Sequence, residues 1–270
     1  MKEKFEPVRA KTDKKIRLFD GEVKETPTEL LSTIIHNRYD TGWFFPAGDP
    51  EFWVFKDKLL VPNGKVLDLG MGQGKSSLFF ALQGMEVIGY EVDENAIAIM
   101  GTIKEAYDLP IEIRDEDIIQ AYFGEEEYDT VLCGSTFAHF PSKTSAFHVL
   151  GKAVDAIKVG GHIWIRAGGK YDSSFGELKR YVYEYPAEVK KIDDDVYLAP
   201  CECSGERKIE PQLFFDLMEL LYFIAKNGLK IIHTQIIPEE GKQNIMFGED
   251  FNRSQTKTGL GGMITILAQK

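Results

Sequence analysis

Cysteine is scarce: the 270 residues contain three, at Cys133, Cys201 and Cys203. An odd, low count argues against a small secreted fold stapled by disulfides. Long apolar runs are missing too. No stretch of about 18 apolar residues occurs, so no transmembrane helix is expected, and MKEKFEPVRAKTDKK at the start lacks the apolar core of a signal peptide. A cytoplasmic protein without a membrane partner is the expectation, and the sequon Asn252-Arg253-Ser254 is then a chance match. Positive charge is outnumbered. With 32 Lys and Arg against 43 Asp and Glu the net charge is −11, which argues against a chain built to grip nucleic acid through phosphates. There is no repeat and no low-complexity tract.

What is present is enough to fold. Hydrophobic residues make up 43% and aromatic residues 12% of the chain, too much for disorder throughout. Residues 1–60 read as a charged arm followed by an aromatic cap segment containing Trp43 and Phe44. Residues 61–270 read as one α/β domain. Short apolar runs at 65–69, 86–90, 111–113, 130–133, 162–165, 229–232 and 263–267 alternate with helical stretches. Gly84, Asp93, Ser142 and Gly228 stand where caps belong. The spacing of Phe147, Leu150, Val154 and Ile157 predicts one helix face, with Gly160-Gly161 ending that helix. A later helix is expected from about Leu213. Such alternation predicts a parallel sheet covered on both faces, which binds ligands at the carboxyl ends of its strands. Residues 171–210 break the pattern and read as an insertion over the active site.

The chemistry lies in Val66-Leu67-Asp68-Leu69-Gly70-Met71-Gly72-Gln73-Gly74-Lys75-Ser76. An acid ends a strand and alternate glycines let the backbone approach a ligand closely. Three ligands compete for such a loop. A P-loop, and with it an NTPase, needs its first glycine at 69, which is Leu69. A dinucleotide fingerprint needs a glycine at 75, which is Lys75. The third reading has no phosphate: Asp68 would repel one but can orient an ammonium group. Glu91, at the end of the next strand, can accept both hydroxyls of a ribose; the structural alternative is a charge at a helix start.

Residues 65–170 resemble the class I S-adenosylmethionine-dependent methyltransferases. The resemblance rests on L-D-L-G-M-G-Q-G at 67–74, V-I-G-Y-E-V-D at 87–93, Y-D-T-V-L-C-G-S-T-F-A-H-F at 128–140 and I-K-V-G-G-H-I-W-I at 157–165. Among them the tellurite-resistance type is similar at S-L-F-F-A-L-Q-G-M-E-V, 77–87, and G-E-L-K-R-Y, 176–181. The resemblance implies a Rossmann-like seven-stranded, mostly parallel sheet of order 3-2-1-4-5-7-6 with helices on both faces and the last strand antiparallel. It implies S-adenosyl-L-methionine as cofactor, held by Asp68, Gly70, Met71, Gly72, Gly74, Glu91, Val92 and Gly134, with Asp115 or Asp117 at the adenine. Between these two acids the reading leans to Asp115.

His139 and Arg166 are the candidate catalytic residues. A neutral imidazole can take a proton from the attacking group; the alternative is a histidine that merely packs the pocket. Arg166 can anchor an anion, or serve in a salt bridge. Trp43 and Phe44 form the candidate substrate wall. No metal site is expected, since Cys201-Glu202-Cys203 lacks the further ligands zinc needs. The expected activity is methyl transfer to a small-molecule acceptor, with a non-catalytic cofactor-binding module as the rival. The acceptor and the oligomeric state are not encoded in any motif.

Overall fold

The computed structural model describes residues 54–134, 136–169, 190–193, 196–203, 206–237, 245–247 and 263–270. Trp43, Phe44 and Tyr171 through Tyr185 lie outside them. Two compact units are distinguished, Met1–Ala121 with Tyr128–Thr130, and Tyr122–Glu127 with Val131–Lys270.

The first unit is a run of βα repeats. A short helix α1 (Lys56–Leu59) precedes β1 (Lys65–Leu69), α2 (Lys75–Leu82), β2 (Glu86–Glu91), α3 (Glu94–Tyr107) and β3 (Ile111–Asp115). Strands β1, β2 and β3 pair in parallel, with Val66 beside Val87 and Val87 beside Ile111. Val66, Leu67, Val87 and Tyr90 are fully buried, which is why β1 and β2 read as unbroken apolar runs rather than alternating ones. The caps fall where expected. Asp93 accepts the Ala96 N–H at 2.8 Å to start α3. Gly84, at φ 83°, ends α2. There the Met85 N–H bonds Phe80 O and the Gly84 N–H bonds Ala81 O, a left-handed termination that only glycine adopts cheaply.

The second unit holds most of β4 (Tyr128–Gly134), a one-turn 3-10 helix (Thr136–His139), α4 (Lys143–Ala156), β5 (Ile157–Gly168), β6 (Lys190–Asp193), β7 (Val196–Cys203), β8 (Glu206–Leu213), α5 (Leu217–Lys226), β9 (Lys230–Ile237), β10 (Ile245–Phe247) and β11 (Met263–Gln269). The main sheet runs β10-β9-β11-β5-β4-β1-β2-β3. That is the expected 3-2-1-4-5-7-6 order with one more strand, β10, added at the edge. The final strand is antiparallel to both its neighbours, as expected.

Three readings need correction. Gly160-Gly161 does not end α4; the helix stops at Ala156 and the glycines lie inside β5. Gly160, at φ 83°, lets the start of β5 bond the chain end through Gly160 N–H to Lys270 O and Lys270 N–H to Gly161 O. The buried face of α4 is Ala146, Val149, Leu150, Ala153 and Val154. Phe147 is half-buried and instead stacks on Phe223 of α5, ring centres 5.0 Å apart. The helix expected from Leu213 begins at Leu217, where Asp216 and Glu219 form a reciprocal cap; Leu213 belongs to β8. The segment that broke the alternation contributes a separate three-stranded antiparallel sheet, β6-β7-β8.

Candidate functional site: the glycine turn and the His139 turn

In the first unit β1 delivers Asp68 near its carboxyl end, 3% exposed. The Ser77 hydroxyl of α2 donates to Asp68 Oδ2 at 2.7 Å. After Leu69 the chain turns through Gly70, Gly72 and Gly74 at φ 68°, 54° and 78°, left-handed conformations that cost other residues about 1–2 kcal/mol each. The three glycines do different things. A side chain at Gly74 would run into Met100 of α3, so this glycine lets two helices approach. At Gly72 a Cβ would meet nothing within 4 Å among the described residues, so among them the turn is open on that side. Met71, between the first two, sends its side chain inward against Gly89 of β2 and bonds its N–H to Tyr90 O at 3.0 Å. It is a core residue.

Glu91 ends β2 and reaches back to this turn. Its Oε2 accepts the Gly72 N–H at 2.7 Å, and its Oε1 accepts the N–H groups of Val92 at 2.8 Å and Asp93 at 3.0 Å. Asp93, not Glu91, caps α3, so the helix-start alternative for Glu91 is weakened. Three main-chain donors hold the carboxylate in one orientation. Beside it Val92 is 59% exposed, an apolar side chain left in solvent at a strand end. Asp115 is exposed at the end of β3, in register with Glu91. Asp117 is exposed two residues on; its Oδ1 accepts the Ile119 N–H at 2.8 Å, so its carboxylate is oriented by its own turn. Leu69, where a P-loop needs glycine, is a buried strand residue.

In the second unit Gly134 ends β4, and a Cβ there would stand 3.1 Å from the Trp164 ring. His139 is exposed at the end of the 3-10 turn, flanked by buried Phe137 and Phe140. Arg166 lies on β5, half-buried, opposite Thr265 of β11. His139 and Arg166 stand on different elements. Cys133 is buried in β4. Among the described residues no group of His, Cys, Asp or Glu is arranged to hold a metal, and no helix is long and apolar enough to cross a membrane.

Sequence reasoning overlooked Ser77. The signal was a second serine, directly after Ser76, at the start of a helix that is apolar from Leu78 to Leu82. It also overlooked Phe215, which is 1% exposed and packs edge-on against Phe137 and Phe147. That residue carried no readable signal, because its partners are far away in sequence.

Residues 54–184, just under half of the chain, match the family model of tellurite resistance protein TehB. A probable S-adenosyl-L-methionine-dependent methyltransferase TehB of Haemophilus influenzae is 33% identical over 108 residues, 40% of this chain and 37% of that protein. The chain thus spans well under two thirds of the length of that curated relative. Among solved structures, a SAM-dependent methyltransferase of Methanosarcina mazei superposes with a TM-score of 0.60 at 19% identity, covering 83% of this chain and 98% of that one. The 1,6-didemethyltoxoflavin-N1-methyltransferase of Burkholderia thailandensis, solved with 1,6-didemethyltoxoflavin and S-adenosylhomocysteine bound, superposes at 0.55 with 14% identity over 90% of this chain and 86% of that one. The strand order, the glycine turn after β1 and these likenesses agree, and the chain has the fold of the class I S-adenosylmethionine-dependent methyltransferases.

Proposed function

We propose that the chain transfers a methyl group from S-adenosylmethionine to a small-molecule acceptor in the cytoplasm. The observation that supports this most is Glu91, whose carboxylate is held by three main-chain N–H groups at the end of β2, against a glycine turn that is open at Gly72. A carboxylate has about four acceptor positions, and three are occupied. Accepting two ribose hydroxyls therefore releases one N–H, and that of Gly72, on the open side, is the natural one. When bound, S-adenosylmethionine supplies an activated methyl on a positively charged sulfur.

The chain's own residues then bind, orient and take up a proton. Asp68, buried and steadied by Ser77, holds the amino group of the cofactor's methionine part. Val92 offers its exposed apolar side chain to the adenine face. Of the two acids at and just past the end of β3, Asp117 is the better candidate for the adenine amino group, because the Ile119 N–H already orients it. Gly70 keeps the turn before Gly72 free of a side chain at φ 68°. His139 accepts the proton of an attacking hydroxyl or amine, and Arg166 anchors an anionic acceptor. Alignment of the two reactants supplies most of the rate. The small-molecule character of the acceptor is supported by the Burkholderia neighbour, which was solved with one bound.

Titration calorimetry with S-adenosylhomocysteine tests the reading. Saturable binding of one molecule per chain is expected. A flat titration at millimolar ligand contradicts it.

A further inference from the structure

We propose that Phe215 is a positioning residue that pins the turn carrying His139 and ties it to the inserted β6-β7-β8 sheet. The proposal rests on the reading of His139 as the acceptor-side base. A four-residue 3-10 turn has too few internal hydrogen bonds to fix its own place, so packing must do it. Beneath the exposed His139, the rings of Phe137 and Phe140 lie 5.5 Å apart. Phe215 meets Phe137 edge-on at 6.0 Å and Phe147 of α4 at 5.8 Å.

The ring of Phe215 is itself held from several sides. Its N–H bonds Gly168 O at 2.9 Å, at the end of β5, and Gly169 pairs with it in a parallel bridge. The Lys143 ammonium stands 6.0 Å over the ring, and both Glu219 oxygens hold Lys143, at 2.9 Å and 2.7 Å. Phe215 follows the end of β8 by two residues, and β8 packs on the His139 turn. One buried residue thus joins, through its backbone, the end of β5 and the last strand of the inserted sheet and, through its ring, α4 and the His139 turn. Removing it opens a cavity directly under Phe137, and the surroundings relax into such a cavity only in part.

The test is NMR of the protein labelled with 13C at histidine Cε1, with the signal of His139 assigned by its absence in His139→Gln. In Phe215→Ala the His139 signal is expected to shift or broaden while those of His148, His162 and His233 stay in place. Phe215→Leu, which refills most of the volume without the edge-on contact, should give a smaller change in the same direction, and it decides the matter alone if the alanine variant does not fold. Phe147→Ala removes the other ring contact of Phe215 and should leave His139 as in wild type. Methyl transfer into a metabolite extract by Phe215→Ala should fall about tenfold or more, with affinity for S-adenosylhomocysteine unchanged. An unmoved His139 signal in Phe215→Ala or Phe215→Leu overturns the proposal. Absence of methyl transfer by the wild type would refute the enzyme reading and leave the NMR result to stand by itself.

Discussion

At the scale of single residues the account turns on Glu91 and Gly72. Truncating one partner of a charge-assisted hydrogen bond costs on the order of 1.5–3 kcal/mol. Glu91→Ala should therefore weaken S-adenosylhomocysteine binding by roughly ten- to a hundredfold, read by calorimetry; a change under about threefold would place the ribose elsewhere. Gly72 sits at φ 54° with open space above it, so a substitution acts in two ways. Gly72→Val is strained and fills the space. Gly72→Asn is tolerated in the left-handed region and only fills it. If the ligand uses this space, the asparagine variant should lose affinity about tenfold with its melting temperature near wild type; retained affinity would show the turn faces no ligand. Much at this scale was readable from sequence, because caps and glycine turns are local: Asp93, Ser142, Gly84 and Gly228 all do what their positions suggested. The division of labour among the glycines was not readable. Gly74 is required by Met100, 26 residues away, and nothing near Gly74 announces that methionine.

At the scale of elements the parallel core was legible, since strands buried on both faces are dense in apolar residues, and the antiparallel inserted sheet was not. Its strands β7 and β8 include Pro200, Pro211 and a run of charges, which mask a strand pattern. What holds them is register, with Val196 opposite Leu213 and both buried, a long-range fact. Among the described residues this sheet shares no ladder with the main one. Replacing residues 190–211 with a short glycine bridge should keep S-adenosylhomocysteine binding and abolish methyl transfer. Transfer near the original rate would show that the insertion has no part in the acceptor site. The opposite failure is equally informative: a chain that no longer folds would make the inserted sheet part of the core.

At the scale of the whole molecule, acid stability follows from His233 on β9. Burial lowers its imidazole below the usual range, against a hydrogen bond with Gln235 that raises it. A group with a folded pKa below its unfolded value binds more protons when unfolded, so stability is present above the unfolded value, about 6.5, and is lost as pH falls below it. His233→Gln should flatten the fall in melting temperature between about pH 6.5 and 5; an unaltered slope would put the acid sensitivity elsewhere.

The central claim is catalysis rather than mere retention of a cofactor, and one measurement separates them. The purified chain is incubated with S-adenosylmethionine labelled in its methyl group and a protein-free metabolite extract, with Glu91→Ala alongside. The account predicts label in a small-molecule product and S-adenosylhomocysteine formed in equal amount, both much reduced in the variant. Cofactor bound by the wild type with its label never transferred would contradict it.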